Sequence, residues 1–151
     1  MIRKAHLDDI NIVRDITIST IREIYPHYYP KGAVEFFISH HNDGNIENDI
    51  QNGIVYLLEE NGICTGTVTL RENEICRLFV LPSYQGRGYG RELLDFAENT
   101  ILRDHNEIVL DASLSAKKIY LNRGYRETEY HIIDTPDGDH LCYDVMRKGV
   151  L

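Results

Sequence analysis

Apolar residues near the start of the chain recur at helical spacing. Ile10, Val13, Thr17, Thr20, Ile21 and Ile24 share one stripe, widened by Ile16, which predicts an amphipathic helix with Asp8 as its cap. Met1 to Lys4 reads as a short strand before it. Pro26 and Pro30 end this helix. A second helical stretch covers Lys31 to His41, followed by a turn at Asn42-Asp43-Gly44 and a short helix near Ile46 to Asn52.

From Ile54 the period changes to that of strands. Val55 to Glu60 and Ile63 to Leu70 flank Asn61-Gly62, a dipeptide suited to a hairpin turn, and Glu74 to Leu81 completes a meander. Leu93, Leu94, Ala97 and Ile101 mark the inward face of another helix. Glu107 to Leu114 returns as a strand, and Ser115 to Arg123 is a short helix stopped by Gly124. Tyr125 to Asp134 and Leu141 to Arg147, joined through Pro136-Asp137-Gly138, close the chain as a hairpin. No repeat, linker or low-complexity segment interrupts the order, so residues 1–151 are expected to form one domain.

Between the third meander strand and the next helix lies the most informative segment, Gln85-Gly86-Arg87-Gly88-Tyr89-Gly90. Glycines admit positive φ and close approach of a ligand, and a helix N-terminus offers unpaired N–H groups with partial positive charge. The combination is an anion seat, most often for phosphate. The dinucleotide spacing G-x-G-x-x-G fails, because the sixth position is Arg91 counted from Gly86 and Leu93 counted from Gly88. The P-loop string G-x-x-x-x-G-K-[ST] is absent.

The segment resembles the Q/R-x-x-G-x-G/A loop of the GNAT superfamily of acetyl-CoA-dependent N-acetyltransferases. The order of elements matches that family over nearly the whole chain. The resemblance implies an α/β (α+β) fold with a mixed central sheet of about seven strands. A splay between the fourth and fifth strands and about four flanking helices would complete it. It also implies that backbone groups of Phe79, Val80, Leu81 and Pro82 pair with the pantetheine arm of coenzyme A. Gln85, Gly86, Arg87, Gly88, Tyr89, Gly90 and Arg91, with Glu92 and Leu93 opening the helix, would cradle its pyrophosphate. Arg87 and Arg91 are candidates for charge-assisted bonds to phosphate, or are simply exposed cations.

Acetyl transfer also needs a polarised carbonyl, a deprotonated amine and a protonated leaving thiolate. The string Ala116-Lys117-Lys118-Ile119-Tyr120-Leu121-Asn122-Arg123-Gly124-Tyr125 is similar to the family's A-x-x-x-Y-x-x-x-G-F/Y segment. That implies Tyr120 as proton donor beside the coenzyme sulfur. Ser113 stands where the family often has an Asn on the pantetheine, so a shorter contact is expected there. A primary ammonium has a pKa of about 10.4 and needs a base. Glu74 matches the position of a general-base glutamate in several members, and Asp111 is the second candidate. Cys76 reads as a small strand hydrophobe. The acceptor region of the resembling family corresponds to Tyr25, His27, Tyr28, Tyr29, Phe36, Phe37, His40 and His41, which fit either an aromatic box or helix packing. No residues have metal-ligand spacing, so no metal is expected.

Composition narrows the partners. A net charge of −8 argues against nucleic acid and tilts toward a cationic acceptor by steering. No run of apolar residues is long enough to span a membrane, which excludes a membrane partner of that kind. Three cysteines at unrelated spacings suit a reducing cytoplasm rather than a disulfide framework. The expectation is an N-acetyltransferase with acetyl-CoA as co-substrate, acting by direct attack on a small cationic amine in a ternary complex. A protein N-terminal or lysine acetyltransferase is the nearer alternative, and a non-catalytic acyl-CoA-binding sensor the more distant one. A homodimer stays open.

Overall fold

The computed structural model describes residues 1–149; Val150 and Leu151, the end of the domain expected over 1–151, lie outside the described residues. Ile2–Lys4 form strand β1, and the first apolar stripe forms helix α1, Ile10–Ile24, with Val13, Ile16, Thr17, Thr20 and Ile21 buried. Asp8 does not cap it. A tight turn over Leu7–Asp9 precedes the helix, and the Asp9 carboxylate accepts from the His6 N–H and from Arg3 Nη1, each at 2.8 Å. Asp9 thereby neutralises a partly buried guanidinium, a task the exposed Asp8 is not placed to share.

Helix α2 spans Lys31–His40 and α3 spans Asp43–Gln51. The turn expected at Asn42-Asp43-Gly44 is instead the start of α3. Asn42 Oδ1 accepts from the Asn45 N–H at 2.9 Å, the cap that lets the helix begin a turn early. Strands β2 (Val55–Glu60), β3 (Ile63–Arg71) and β4 (Glu74–Val80) follow as a meander. Then come α4 (Tyr89–Ile101), β5 (Glu107–Ala112), α5 (Lys117–Asn122), β6 (Arg126–Asp134) and β7 (His140–Gly149). Five α-helices lie among the described residues, α3 being the short helix expected near Ile46 to Asn52.

The seven strands form one sheet in the order β1-β2-β3-β4-β5-β7-β6. Only β4 and β5 run parallel; every other neighbouring pair is antiparallel. One apolar cluster, including Val13, Ile21, Ile46, Leu57 and Phe79, fills the face covered by α1 to α3. The other, including Leu70, Leu93, Leu94, Ile108 and Met146, fills the face under α4 and α5. Helix α4 closes tightly on β3 because Gly66 has no side chain: a Cβ there would meet Leu93 Cδ1 at 2.8 Å. No helix of the described residues is long and apolar enough to cross a membrane.

The sheet splits at one residue. Thr69 opposes Arg77 and Leu70 opposes Ile75, so Cys76 is an extra residue in β4, a β-bulge. Pairing with β5 consists of Glu74 with Val109 and Ile75 with Leu110, and stops there. A bulge bends its strand and terminates pairing, so β4 turns away from β5 and the expected splay opens. The bulge also reverses the alternation. Ile75 packs in the α4 and α5 core, yet Phe79, four residues on, belongs to the opposite core. Arg77, two residues before Phe79 and on the same face, points toward the end of α2 and toward α3.

Candidate active site

After β4 the chain makes a tight turn over Pro82–Tyr84 and enters the glycine loop. Gly86 (φ 77°) and Gly88 (φ 89°) are both left-handed, with Arg87 between them. Alternation of this kind turns successive N–H groups to one side and makes a concave anion nest. Helix α4 begins at Tyr89, and its first internal acceptor bond is Glu92 N–H to the Gly88 carbonyl at 3.0 Å. Among the described residues, no protein acceptor takes the N–H of any residue from Gly86 to Arg91. Arg87 lies over the Tyr84 ring at 5.1 Å. Six consecutive amides without a protein acceptor, the start of a helix and two arginines therefore lie within one short segment.

The loop is fastened to the strand end. Gln85 Nε2 donates to the Val80 carbonyl at 3.0 Å, and Thr20 Oγ1 lies 3.3 Å from the same oxygen. The Leu81 N–H goes to Thr65 of β3 at 2.8 Å, so alternation turns the Val80 amide toward the split. Leu93 is fully buried against β3.

A cavity of about 550 Å³ fills the split and reaches both faces of the sheet. On the α4 and α5 side its wall includes Gly90, Arg91, Leu94, Ala116, Ile119 and Tyr120; on the α1 and α2 side it includes Thr20, Tyr25, Phe37, His40 and His41. Of the residues expected to contact coenzyme, Phe79, Val80, Gln85, Gly86, Gly90, Arg91 and Ser113 line this space. Leu81, Pro82, Arg87, Gly88, Tyr89 and Glu92 do not line it and belong to the loop and helix start, and Leu93 lies in the core under α4 rather than at the cavity.

Tyr120 lines the cavity with 7% of its surface exposed. Its ring meets Tyr125 edge-on at 5.6 Å, and no protein group pairs with its hydroxyl among the described residues. Burial pushes its pKa up, and nearby Tyr25 adds to the effect. It is therefore a neutral phenol with a free O–H. Ser113 and Ser115 hydroxyls lie 3.0 Å apart beside it in the same wall.

The two carboxylate candidates occupy different places. Asp111 lines the cavity; Glu74 does not. Burial raises the Glu74 pKa, and the charge of Asp111 raises it further. Burial also raises Asp111, with His131 and His40 opposing. Two neighbouring carboxyls that both resist ionisation are stronger bases than free carboxylates. Cys76, at the bulge, has its thiol pushed up to about 12 by burial and the Glu74 charge, which keeps it protonated and a poor nucleophile.

Of the aromatic region, Tyr25, Phe36, Phe37, His40 and His41 line the cavity, whereas Tyr28 is exposed. The Tyr29 hydroxyl accepts from the Leu114 N–H at 2.7 Å and donates to the Cys142 carbonyl at 3.4 Å, joining the connection between α1 and α2 to the segment after β5 and to β7. The sequence reading missed Arg77. It is buried, and donates to His41 Nδ1 at 3.2 Å, Thr69 Oγ1 at 2.9 Å and Asp49 Oδ2 at 3.2 Å. A lone cation inside the apolar run Ile75-Cys76-Arg77-Leu78-Phe79 was the signal for it. Among the described residues no group of His, Cys, Asp and Glu is arranged to hold a metal ion.

Comparison with known proteins agrees with this geometry. No curated protein is significantly similar in sequence. A GCN5-related N-acetyltransferase from Rhodopseudomonas palustris superposes with a TM-score of 0.90 at 22% identity, over 99% of this chain and 95% of that one. The PaiA N-acetyltransferase of Thermoplasma acidophilum, solved with coenzyme A, gives 0.73 at 18% identity over 99% and 98%. YncA of Salmonella typhimurium, solved with acetyl-CoA, gives 0.69 at 18% identity over 99% and 92%. The sequence profile of the acetyltransferase (GNAT) domain matches residues 24–135. With most of its length matched, this chain belongs to the GNAT acetyltransferase domain family.

Proposed function

We propose that this protein is an N-acetyltransferase that takes the acetyl group of acetyl-CoA and passes it to an amine by direct attack in a ternary complex. The observation that carries the reading is the alignment of three features along one cavity: the unpartnered amides of Gly86 to Arg91, the split after Cys76, and the free hydroxyl of Tyr120. The residues present fit the co-substrate. A concave set of N–H groups with Arg87 and Arg91 matches a pyrophosphate. The inward amide of Val80 and the Ser113 hydroxyl match an amide-bearing arm. When bound, the thioester supplies the acetyl group.

Attack by the amine forms a C–N bond and breaks the C–S bond, leaving charge on sulfur. Tyr120 donates a hydrogen bond to that sulfur; being a weaker acid than a thiol, it shares its proton without being stripped of it. Asp111 in the wall, with Glu74 behind it, takes the amine proton, directly or through water. The net charge of −8 and these carboxylates favour a small cationic amine, with a protein N-terminus or lysine as the alternative acceptor. We place the protein in the cytoplasm, in keeping with its three free thiols.

The test is thiol release from acetyl-CoA with a panel of amines. Amine-dependent release is the expected result. Tight coenzyme binding with no release for any amine would instead fit a sensor.

A further inference from the structure

His41 lines the cavity yet takes no part in the proton transfers above. It ends α2 with 8% of its surface exposed. Arg77 is permanently protonated and donates from Nε to His41 Nδ1 at 3.2 Å, so Nδ1 bears the lone pair. A neutral imidazole has one N–H, which must then sit on Nε2. Arg77 is itself immobilised by Thr69 and Asp49, and Asp49 is tied to Arg71 at 2.7 Å. The His41 ring is wedged edge-on against Phe79 at 5.7 Å and His40 at 5.1 Å. Tautomer and ring plane are both fixed.

The Nε2–H has no protein acceptor among the described residues, and the ring borders the cavity. At the cavity wall this donor meets solvent until a ligand displaces the water, and that ligand must then supply an acceptor. The β5 bank of the same cavity carries the opposite kind of group, Asp111, with Glu129 near enough to raise its pKa. That bank suits an ammonium and repels a carboxylate.

Resting on the acetyltransferase reading, we infer that the acceptor is a primary amine that also carries a neutral amide-type carbonyl, and that the Nε2–H of His41 binds that oxygen. Asp111 and His41 then hold the two ends of one molecule, and His41 acts as a specificity residue. Simple alkylamines and polyamines offer nothing to its N–H. A donor that such a molecule desolvates without pairing makes the discrimination steep.

The test compares amino amides with hydrocarbon isosteres at three lengths: glycinamide with isobutylamine, β-alaninamide with 3-methylbutylamine, and 4-aminobutanamide with 4-methylpentylamine. At the best-fitting length the amide should have a kcat/KM about ten- to a hundredfold above its isostere, mostly through KM. His41→Phe should bring that ratio near one. His41→Gln should restore much of it, since its amide can accept from Arg77 and still donate. Equal kcat/KM within every pair, or a ratio unchanged in His41→Phe, overturns the inference and leaves the acetyltransferase reading standing. No thiol release with any of the six amines overturns the inference, and the wider amine panel then decides the acetyltransferase reading separately. Should His41→Phe fail to fold, nitrogen-15 NMR of the wild type replaces it. The His41 Nε2–H resonance must move when the best amide saturates the protein, and an unmoved resonance overturns the inference.

Discussion

Gln85 reaches back to donate to the carbonyl of Val80 at 3.0 Å, closing the glycine loop onto the last residue of β4. The side chain is therefore committed to holding the loop, leaving the backbone of Gly86 to Arg91 to meet an anion. Gln85→Ala should weaken coenzyme A binding by about tenfold, the worth of one hydrogen bond near 1.4 kcal/mol. Its melting temperature without ligand should change little, because the loop is exposed. Calorimetric titration decides it; unchanged affinity would mean the loop keeps its shape unaided.

Gly88 supports the same seat from the backbone. Its φ of 89° is strained for any residue with a side chain. Coenzyme A should raise the melting temperature of the wild type, and Gly88→Val should lose that shift while remaining folded. Gly90→Val, on the cavity side of the helix start, should lose it for steric reasons alone. Full shifts in both variants would remove the loop from coenzyme binding.

Tyr120→Phe separates binding from chemistry. The ring and its contact with Tyr125 survive, so coenzyme affinity should hold, while kcat should fall about 10²-fold, as for loss of a hydrogen-bond donor to developing negative charge. Because burial raises the Tyr120 pKa, the wild type should show no loss of rate from its ionisation below about pH 10. A Phe variant with wild-type kcat would reduce Tyr120 to packing.

Local signals in the sequence carried much of this. Helical spacing found α1, the Asn61-Gly62 pair found the hairpin, and the glycine spacing found the loop before α4. The bulge at Cys76 left no local trace. One extra residue in a strand is visible only against its partner, where Arg77 and Ile75 oppose adjacent residues of β3. The sequence reading could therefore place Glu74 on the right strand without seeing that Asp111 is the carboxylate that borders the cavity. The Arg77–His41 contact joins residues 36 apart, and nothing local announces such a pairing. Likewise Asn42 read as a turn because its capping bond to Asn45 needs the helix that follows.

Glu98 is the main polar tie between α4 and the C-terminal half. Its carboxylate accepts from Arg123 Nε and Lys148 Nζ at 2.9 Å each, and from the Tyr125 hydroxyl at 3.2 Å. Burial opposes its charge, but the Arg123 and Lys148 bonds prevail and hold its pKa below the usual carboxylate range. Stabilisation from this group is thus complete above its unfolded pKa and lost as pH falls through the folded one. Glu98→Ala leaves Lys148 unpaired and Arg123 with Asp95 alone, at 2.7 Å, and should cost about 2 kcal/mol in urea unfolding at neutral pH. A loss below about 0.5 kcal/mol, the scale of surface pairs, would mean that water replaces the carboxylate.

His41 gives stability the same sign at higher pH. An unfolded imidazole titrates near 6.5, whereas burial, with the charges of Arg77 and His40, pulls folded His41 down to about 3. Between those values the unfolded chain holds a proton that the folded chain refuses. The contribution is fully present above about pH 6.5 and declines as pH falls toward 3. His41 should therefore contribute a drop in unfolding free energy, measured in urea, of about 1 kcal/mol per pH unit between about pH 6 and pH 5, while the raised carboxyls of Glu74 and Asp111 act in the opposite sense. His41→Gln keeps an acceptor for Arg77 but has nothing to titrate, so the wild type should lose about 1 kcal/mol per pH unit more than this variant over that interval. Parallel slopes for the two proteins would show that His41 accepts a proton in the folded state, and its Nε2–H would then no longer be fixed by Arg77.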